Sequence, residues 1–427
     1  MKKSKYSIIV ENTYLFNTLW GSLEKVDSTF INKWKNFNWD NFTQKEQEIL
    51  LKRRHVIKET ESTINYKFFN EQSNKISRFY IIFSYDCNLN CSYCFEKNIK
   101  NKKTISENRL DNIFDSIAKI IQIRKSTYNE IVLFGGEPFL LKNAKLIKKT
   151  LEFSKNSNIY VSAISNGTNI LLYEKLIKEY RNIFKWFSIT MDGDKEHHDK
   201  RRISSNSEST FEKILENIDF LIKEKIIVSV RINIDKTNID SISSFLNLIK
   251  DRYDSYVEVS LSLVEDNTNV GNENLIKYEE ITTIINNLNL FDNHPNVELN
   301  IKPIKKIHDL LNKPNNVTPL FKYCWVGSYF TFSPNGNIYV CPESCENKNL
   351  KIGEYYPNIK INKSKIAYFS NINALTIDEC KDCEFAPICG GGCYLQRLTN
   401  SKACCNKEDL YKSLIKQIKI LETETIK

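Results

Sequence analysis

Three cysteines lie close together directly after a short apolar stretch. Cys87, Cys91 and Cys94 follow residues 80–83 with the spacing C-x3-C-x2-C, and Tyr93 precedes the last of them. Thiolates so close in sequence can bind one metal centre, and three of them leave one iron of a [4Fe–4S] cube without a protein ligand. Such an open iron can bind a reactant. On this triplet alone, the alternative is a zinc knuckle or a structural thiol loop.

The triplet resembles the signature of the radical S-adenosylmethionine (SAM) superfamily, which has this spacing and an aromatic residue before the third cysteine. The resemblance implies that the amino and carboxylate groups of SAM chelate the fourth iron. It also implies that an electron from the cluster splits SAM into methionine and a 5′-deoxyadenosyl radical. Tyr93 is accordingly a candidate SAM contact.

Length and composition favour a cytoplasmic protein of two or three domains. The chain has 427 residues, of which 41% are hydrophobic, and no apolar window is long enough to predict a membrane span. Glu11 and Asn12 interrupt the first apolar run, which argues against a signal peptide, so the 12 cysteines are expected to bind metal. The net charge of +9 indicates a solvated surface or attraction to an acidic peptide, and no nucleic-acid-binding signature is present.

Strand-like and helix-period segments alternate between about residues 78 and 290, which predicts βα units and a parallel sheet. Strands are expected at residues 79–84, 131–134, 159–164, 186–190, 226–232 and 257–264, and helices at 106–124, 142–154, 173–180, 210–223 and 241–251. Six units are too few for a full eight-stranded barrel. The resemblance implies an α/β fold of the partial (β/α)6 TIM-barrel type, with its chemistry at the carboxyl ends of the strands.

Two further regions flank the barrel, which is assigned to residues 76–310. Residues 1–75 predict short strands followed by helices, one from Ser28 to Trp34 and one after a Thr43–Glu46 capping box. This small α+β module resembles, in order and size, the leader-binding domain of peptide-modifying radical SAM enzymes; a packing extension is an equal alternative. A helix at 274–288 and an Asn- and Pro-rich connection lead to a cysteine-rich third, residues 311–427, which ends in a helix.

Polar motifs follow the predicted strands where the family binds SAM. In that family a Gly-Gly-Glu-Pro turn contacts the methionine amino group, and a Ser-Asn-Gly-Thr turn lies nearby. After the fourth strand a hydroxyl is placed to bond SAM and an arginine to pair with a carboxylate, while His198 and Asp199 are interpreted as residues that order the loop. No residue is assigned as a catalytic base. The SAM contacts that the resemblance implies are Tyr93, Gly135, Gly136, Glu137, Ser165, Asn166, Thr190, Arg202 and Leu263.

Nine cysteines occupy the carboxyl third in an order that resembles the SPASM extension of radical SAM enzymes. That resemblance implies two auxiliary [4Fe–4S] clusters. It assigns the first cluster to Cys324, Cys341 and Cys393, with Cys345 as a candidate fourth ligand. It assigns the second cluster to Cys380, Cys383 and Cys389, completed by Cys404 or Cys405. The alternative for this region is a pair of zinc ribbons.

The resemblance implies a peptide maturase. The expected product is a thioether cross-link in a ribosomally made precursor peptide, as in sactipeptide and ranthipeptide maturases, and the expected electron donor is a flavodoxin or ferredoxin. Relatives that make formylglycine in sulfatases carry an aspartate directly after the cysteine matching Cys341. Pro342 stands there and Glu343 follows, so that activity is the weaker expectation. Two further interpretations stay open, namely carbon–carbon cross-linking and a non-catalytic, zinc-binding interaction protein.

Overall fold

The structure, a computed structural model, describes residues 1–58, 75–99, 103–267, 271–294, 296–314, 317–324, 326–399 and 405–425. The strands are β1 (Lys2–Lys3), β2 (Ser7–Val10), β3 (Tyr14–Asn17), β4 (Leu23–Lys25), β5 (Val56–Ile57), β6 (Ile76–Ile82), β7 (Leu89–Cys91), β8 (Tyr128–Phe134), β9 (Tyr160–Ser165), β10 (Phe184–Thr190), β11 (Arg202–Ser204), β12 (Ile227–Ile234), β13 (Val257–Leu263), β14 (Val297–Leu299), β15 (Tyr329–Phe332), β16 (Asn337–Tyr339), β17 (Lys351–Glu354) and β18 (Lys360–Ile361).

The helices lie between and around these strands. They are α1 (Ser28–Lys35), α2 (Gln44–Lys52), α3 (Glu107–Arg124), α4 (Ala144–Ser157), α5 (Glu174–Glu179), α6 (Lys195–Arg201), α7 (Phe211–Lys223), α8 (Ile242–Tyr253), α9 (Tyr278–Asn287), α10 (Leu290–Asn293), α11 (Lys302–Asn312), α12 (Lys363–Asn371), α13 (Ala386–Cys389), α14 (Tyr394–Thr399) and α15 (Lys407–Thr425). Among the helices that the structure describes, none combines the length and the apolarity that crossing a bilayer requires.

The predicted barrel strands are confirmed as six adjacent, parallel strands. They stand in the order β13-β12-β10-β9-β8-β6 within an eleven-stranded sheet. Apolar runs such as Ile131-Val132-Leu133 are fully buried, because helices cover a parallel sheet. The sheet is therefore the α/β partial barrel that the sequence predicted, and the motif-bearing loops all leave its carboxyl edge.

Two parallel strands lie outside the prediction, one at each side of the barrel. β14 pairs with β13, although the sequence indicated only an irregular connection there. On the other side β15 pairs with β6, and the antiparallel strands β16, β17 and β18 continue the same sheet. The Phe79 and Phe330 rings stack across the β6–β15 pair with centroids 5.6 Å apart. The hairpin between Cys324 and Cys341 is thus joined to the strand that leads to Cys87.

The N-terminal module consists of the antiparallel sheet β2-β3-β4, the pair β1–β5 and helices α1 and α2. The capping box is confirmed, since Glu46 N donates to Thr43 Oγ1 at 3.3 Å and Thr43 N donates to Glu46 Oε2 at 2.6 Å. Helix α1 begins at Ser28, and Asp27 caps it by accepting from Phe30 N at 2.7 Å. Most of the segment that follows, residues 59–74, lies outside the described residues.

The module packs against the cysteine-rich third of the chain. Glu11 forms an ion pair with Lys419 of α15 at 2.9 Å, and Glu11 N donates to the Tyr411 hydroxyl at 3.2 Å. The Lys5 ammonium donates to the Lys381 carbonyl at 2.8 Å. These contacts connect the first strands of the chain to the segment that carries Cys380 and Cys383.

A buried histidine makes the stability of this module depend on pH. His55 is fully buried with Nδ1 3.0 Å from Ser7 Oγ, and burial together with Arg53 lowers its pKa to about 3. An unfolded histidine has a pKa near 6.5, so the unfolded chain binds the extra proton as pH falls through 6.5 and stability is lost. Between pH 7 and 5.5, urea unfolding should show wild type losing about 1 kcal/mol more than His55→Gln. Identical losses would contradict this.

Candidate active site

The loop after β6 holds the first cysteine set. Cys87, Cys91 and Cys94 are half-buried, and Cys91 raises the pKa of both of the others, so the three thiols are close neighbours. Burial is the larger cause and raises the pKa of Cys87 to about 12 and of Cys94 to about 11. Within the described part of the chain, no three His, Cys, Asp or Glu side chains are grouped as ligands of a single metal ion.

Arg202 is the cation of this site. Its guanidinium lowers the pKa of all three thiols, and its Nε is buried without a hydrogen-bond partner among the described residues. It is held there by a small antiparallel pair in which β11 runs beside β7 with Arg202 opposite Cys91. A cation beside three thiols fits a cluster whose thiolate ligands carry negative charge.

The loop after β10 differs from the pattern of related enzymes at one position, and the structure shows what the different residue does there. Asp194 stands where relatives have proline, and its side chain caps α6 by accepting from His197 N at 3.1 Å. The short helix then delivers Arg201 and Arg202 to the cysteine loop, where Ser92 N donates to the Arg201 carbonyl at 3.0 Å. This helix was not predicted, because its seven residues are mostly charged and show no apolar period.

Asp192 is the residue that sequence reasoning missed. It is fully buried, accepts from Asn233 N at 3.0 Å and contacts the Tyr93 hydroxyl, and its carboxylate lies 3.8 Å from both Arg201 and Arg202. Arg202 Nη1 also donates to the Tyr93 hydroxyl at 2.7 Å. Tyr93, a predicted SAM contact, therefore uses its hydroxyl to join the third-cysteine segment to Asp192 after β10 and to Asn233 of β12, whose Nδ2 donates to it at 3.2 Å. The only signal in the sequence was the Asp192-Gly193 pair, which follows β10 after Met191.

The Gly-Gly-Glu-Pro and Ser-Asn-Gly-Thr turns meet through Glu137. This buried carboxylate accepts from Ser165 Oγ at 2.8 Å and from Asn166 N at 2.7 Å, so it ties the two turns together. Gly136 lies so close to the cysteine loop that a Cβ there would be 2.1 Å from the Asp86 carbonyl oxygen. The structure thus brings these predicted SAM contacts to one edge of the barrel, with Glu137 hydrogen-bonded to the protein.

The remaining predicted residues of the barrel also lie at this edge. Thr190 is buried at the end of β10, and Leu263 is half-buried at the end of β13. Burial and the two arginines lower the pKa of His198 to about 3, and its Nε2 lies 3.1 Å from Thr210 Oγ1. Asp199 accepts from Thr210 N at 3.0 Å. These contacts support the interpretation of His198 and Asp199 as loop-ordering residues.

The first auxiliary set is brought together without Cys345. Cys324 and Cys393 both raise the pKa of Cys341, after the larger effects of burial and Glu343, so these three thiols share one neighbourhood. Cys345 instead lies beside Tyr85 and Glu96, next to the first cysteine loop. The 3-10 helix Pro342–Ser344 separates the two cysteines and turns the chain between them. The structure therefore does not place Cys345 with the set that it was predicted to complete.

Cys405 lies near two cysteines that are predicted to bind the second auxiliary cluster. This thiol raises the pKa of Cys380 and of Cys383, so it lies near both. Cys404, the other predicted candidate, lies outside the described residues. Cys389 ends α13 and lies near Tyr278, whose pKa is raised by burial, by Glu265 and by this thiol. Arg397 Nη2 donates to Cys380 Sγ at 2.9 Å, a contact that stabilises a thiolate.

Two carboxylates lie beside the first auxiliary set. Asn267 Nδ2 donates to Glu265 Oε2 at 3.1 Å and to Glu343 Oε2 at 2.8 Å, and the Tyr323 hydroxyl donates to Glu265 Oε1 at 3.1 Å. The Glu265 side chain is accessible to solvent, yet the surrounding protein and Glu343 raise its pKa. A proton acceptor is thus present here despite Pro342. Glu265 does not belong to any motif of the sequence. It is far from Glu343 along the chain, and only folding brings the two side chains together at Asn267.

Comparison with known proteins places the barrel in a family. Residues 81–249 match the model of the radical SAM superfamily. The chain is 25% identical over 331 residues to the cysteine-type anaerobic sulfatase-maturating enzyme of Clostridium novyi (strain NT). The aligned region covers 73% of this chain and 85% of that enzyme.

Two solved structures share the fold. Native anSMEcpe with bound AdoMet and Kp18Cys peptide has a TM-score of 0.60 at 19% identity, over 82% of this chain and 99% of that one. Streptococcus suis SuiB bound to precursor peptide SuiA has a TM-score of 0.56 at 12% identity, over 94% of this chain and 97% of that one.

The matched segment contains all the motifs that surround the first cysteine set, from Cys87 to Arg202. The cofactors of a radical SAM domain are a [4Fe–4S] cluster and S-adenosylmethionine, and the thiols beside Arg202 fit that cluster. The prediction from the motif is confirmed for this part of the chain: residues 81–249 match the radical SAM superfamily, and the sulfatase-maturating relative is an enzyme.

Proposed function

We propose that this protein modifies a ribosomally made precursor peptide by forming a thioether between a cysteine sulfur and a peptide carbon. The observation that carries the proposal is the grouping of Cys324, Cys341 and Cys393 apart from Cys345. A [4Fe–4S] cube on three thiolates keeps one iron for another ligand, and a substrate thiolate suits that position. A thioether needs such a bound thiolate, whereas carbon–carbon coupling does not.

The cysteines have distinct roles in this proposal. Cys87, Cys91 and Cys94 hold the cluster that, with SAM, supplies hydrogen-atom abstraction. Cys324, Cys341 and Cys393 hold the first auxiliary cluster, and the second is held by Cys380, Cys383, Cys389 and Cys405. Arg202 balances thiolate charge, and Asp192 fixes the loops around it. Glu265 accepts the proton of the substrate thiol, since its accessible carboxylate lies beside the first auxiliary set.

A peptide substrate is supported by the relatives. The sulfatase-maturating enzyme acts on a protein by its name, and the anSMEcpe and SuiB structures each contain a peptide. The N-terminal module that packs against α15 is the proposed leader-binding domain, and the net charge of +9 suits an acidic leader. A flavodoxin or ferredoxin is the proposed electron donor.

Formylglycine formation is the second candidate, and one observation favours it. The sequence argument against it was Pro342, which cannot accept a proton, but Glu343 and Glu265 supply carboxylates beside the same cysteines. Together with the similarity to a sulfatase-maturating enzyme, this makes the argument from Pro342 weaker than the sequence suggested.

Product analysis distinguishes these activities. Anaerobically reconstituted, reduced holoenzyme is incubated with SAM and cysteine-containing precursor peptides, and the products are alkylated and weighed. A thioether gives a loss of two hydrogens and a sulfur that no longer alkylates. Loss of two hydrogens with a thiol that still alkylates would indicate carbon–carbon coupling. Replacement of sulfur by oxygen together with the loss of two hydrogens would indicate formylglycine. Either result would overturn the thioether proposal.

A further inference from the structure

Two lysines flank Cys324 of the first auxiliary set. Lys302, the first residue of α11, donates from its ammonium to the Tyr323 carbonyl at 2.7 Å, and Lys322 donates to the Ser370 carbonyl at 3.0 Å. Lys302 thus bonds the residue directly before Cys324, and Lys322 lies two residues before it; burial raises the pKa of Cys324, and both ammonium groups oppose that effect. Donation to carbonyl oxygens requires N–H groups, and an ammonium provides three of them.

These lysines have no carboxylate partner within 4.0 Å among the residues that the structure describes. Both side chains are nevertheless half-buried, so their ammonium groups are partly removed from water. A cation removed from water is costly unless an anion or strong dipoles compensate it. Here the nearby group that becomes anionic is the thiolate-ligated cluster at Cys324.

The other two cysteine sets have cations that are already neutralised. Lys407, beside Cys383 and Cys405, pairs with Glu384 at 2.6 Å, and Arg397, beside Cys380, lies 3.5 Å from Glu379. Arg202 in turn lies 3.8 Å from Asp192. At the first auxiliary set Glu343 and Glu265 lie beside the cysteines and Glu298 acts on Lys302, but in the described part of the chain no carboxylate comes within 4.0 Å of either ammonium group.

We propose that Lys302 and Lys322 raise the reduction potential of the first auxiliary cluster, so that this cluster takes up the electron left over from the substrate. The proposal rests on the proposed function for that electron: joining a carbon radical to a thiolate forms one C–S bond and releases one electron. The oxidised cluster accepts it and gains one negative charge, which the two ammonium groups stabilise. Cluster potentials follow net charge and nearby hydrogen bonds in this way.

The test is a reductive titration of the holoenzyme, followed by electron paramagnetic resonance without any peptide. In Lys302→Met and in Lys322→Met, the equilibrium constant for reduction of one cluster should fall at least about tenfold. For a one-electron couple this lowers the midpoint potential of that cluster by about 59 mV. The other steps should stay in place. Lys305→Met is the matched control, because Lys305 lies on the same helix and pairs with Asp309 at 2.7 Å.

A second variant, Lys302→Arg, keeps the positive charge. Lys302→Arg should keep the wild-type potential, and it covers the case in which a neutral variant loses iron. Unchanged potentials in both Met variants at wild-type iron content would overturn the proposal, as would an equal shift in Lys302→Arg and Lys302→Met. Because no peptide is present, either result is independent of which product the enzyme makes.

Discussion

Alanine in place of Cys91 is expected to abolish the release of 5′-deoxyadenosine from SAM and to remove about four irons per chain. Cys91 is central to its set, because it interacts with both Cys87 and Cys94 and lies opposite Arg202 in the β7–β11 pair. An iron cube that loses this thiolate keeps only two protein ligands. Deoxyadenosine is measured by chromatography in reduced, oxygen-free reactions, and iron and sulfide are measured in the same preparation.

Cys345→Ala is the matched control for iron content. Its thiol lies beside Tyr85 and Glu96 rather than with Cys341, so this variant should keep the iron of wild type, about twelve atoms per chain for three cubes. Loss of about four irons on this substitution would restore Cys345 as an auxiliary ligand. Deoxyadenosine release by Cys91→Ala would refute the assignment of the first loop, and zinc in place of iron would refute the assignment of the cysteines to iron–sulfur clusters.

The sequence predicted what local patterns determine. The barrel strands are continuous apolar runs, and the cysteine loop, the two turns and the capping box are short motifs in which spacing implies geometry. The three residues of β14 are too few to stand out from an Asn-rich connection, and they become a strand only because β13 offers an edge to pair with. Local patterns therefore predicted the barrel and missed one of the strands that extend it.

The charged partners of the site could not be predicted from local patterns. Asp192 contacts the Tyr93 hydroxyl, and Glu343 helps to raise the pKa of Glu265, after the larger effect of burial. In each case the two residues are far apart in sequence. No motif links either pair, so only the fold reveals them. Cys345, the candidate fourth ligand of the first auxiliary cluster, shows the opposite case: it is close to Cys341 in sequence, but the intervening 3-10 helix directs it to Tyr85. Separation in sequence was a poor guide in both directions.

Asp192→Asn is expected to have the largest effect among substitutions outside the cysteines. The change keeps the shape of the side chain but removes the charge that faces Arg201 and Arg202, and Arg202 has no other carboxylate within 4.0 Å in the described residues. Breaking a buried ion pair in this way costs about 3–5 kcal/mol. Urea unfolding should report that loss, and calorimetry should report loss of SAM binding, because the loop that holds Arg202 beside the thiols is released.

Asp194→Asn provides the comparison, since it makes the same chemical change two residues away. Asp194 caps α6, and asparagine caps helices about as well as aspartate, so the free energy of unfolding should change by less than about 1 kcal/mol. Equal losses in the two variants would show that the loop, and not the buried charge of Asp192, determines stability here. A large loss confined to Asp192→Asn would establish that one carboxylate, fully enclosed by the protein, keeps the arginine of the cluster in place.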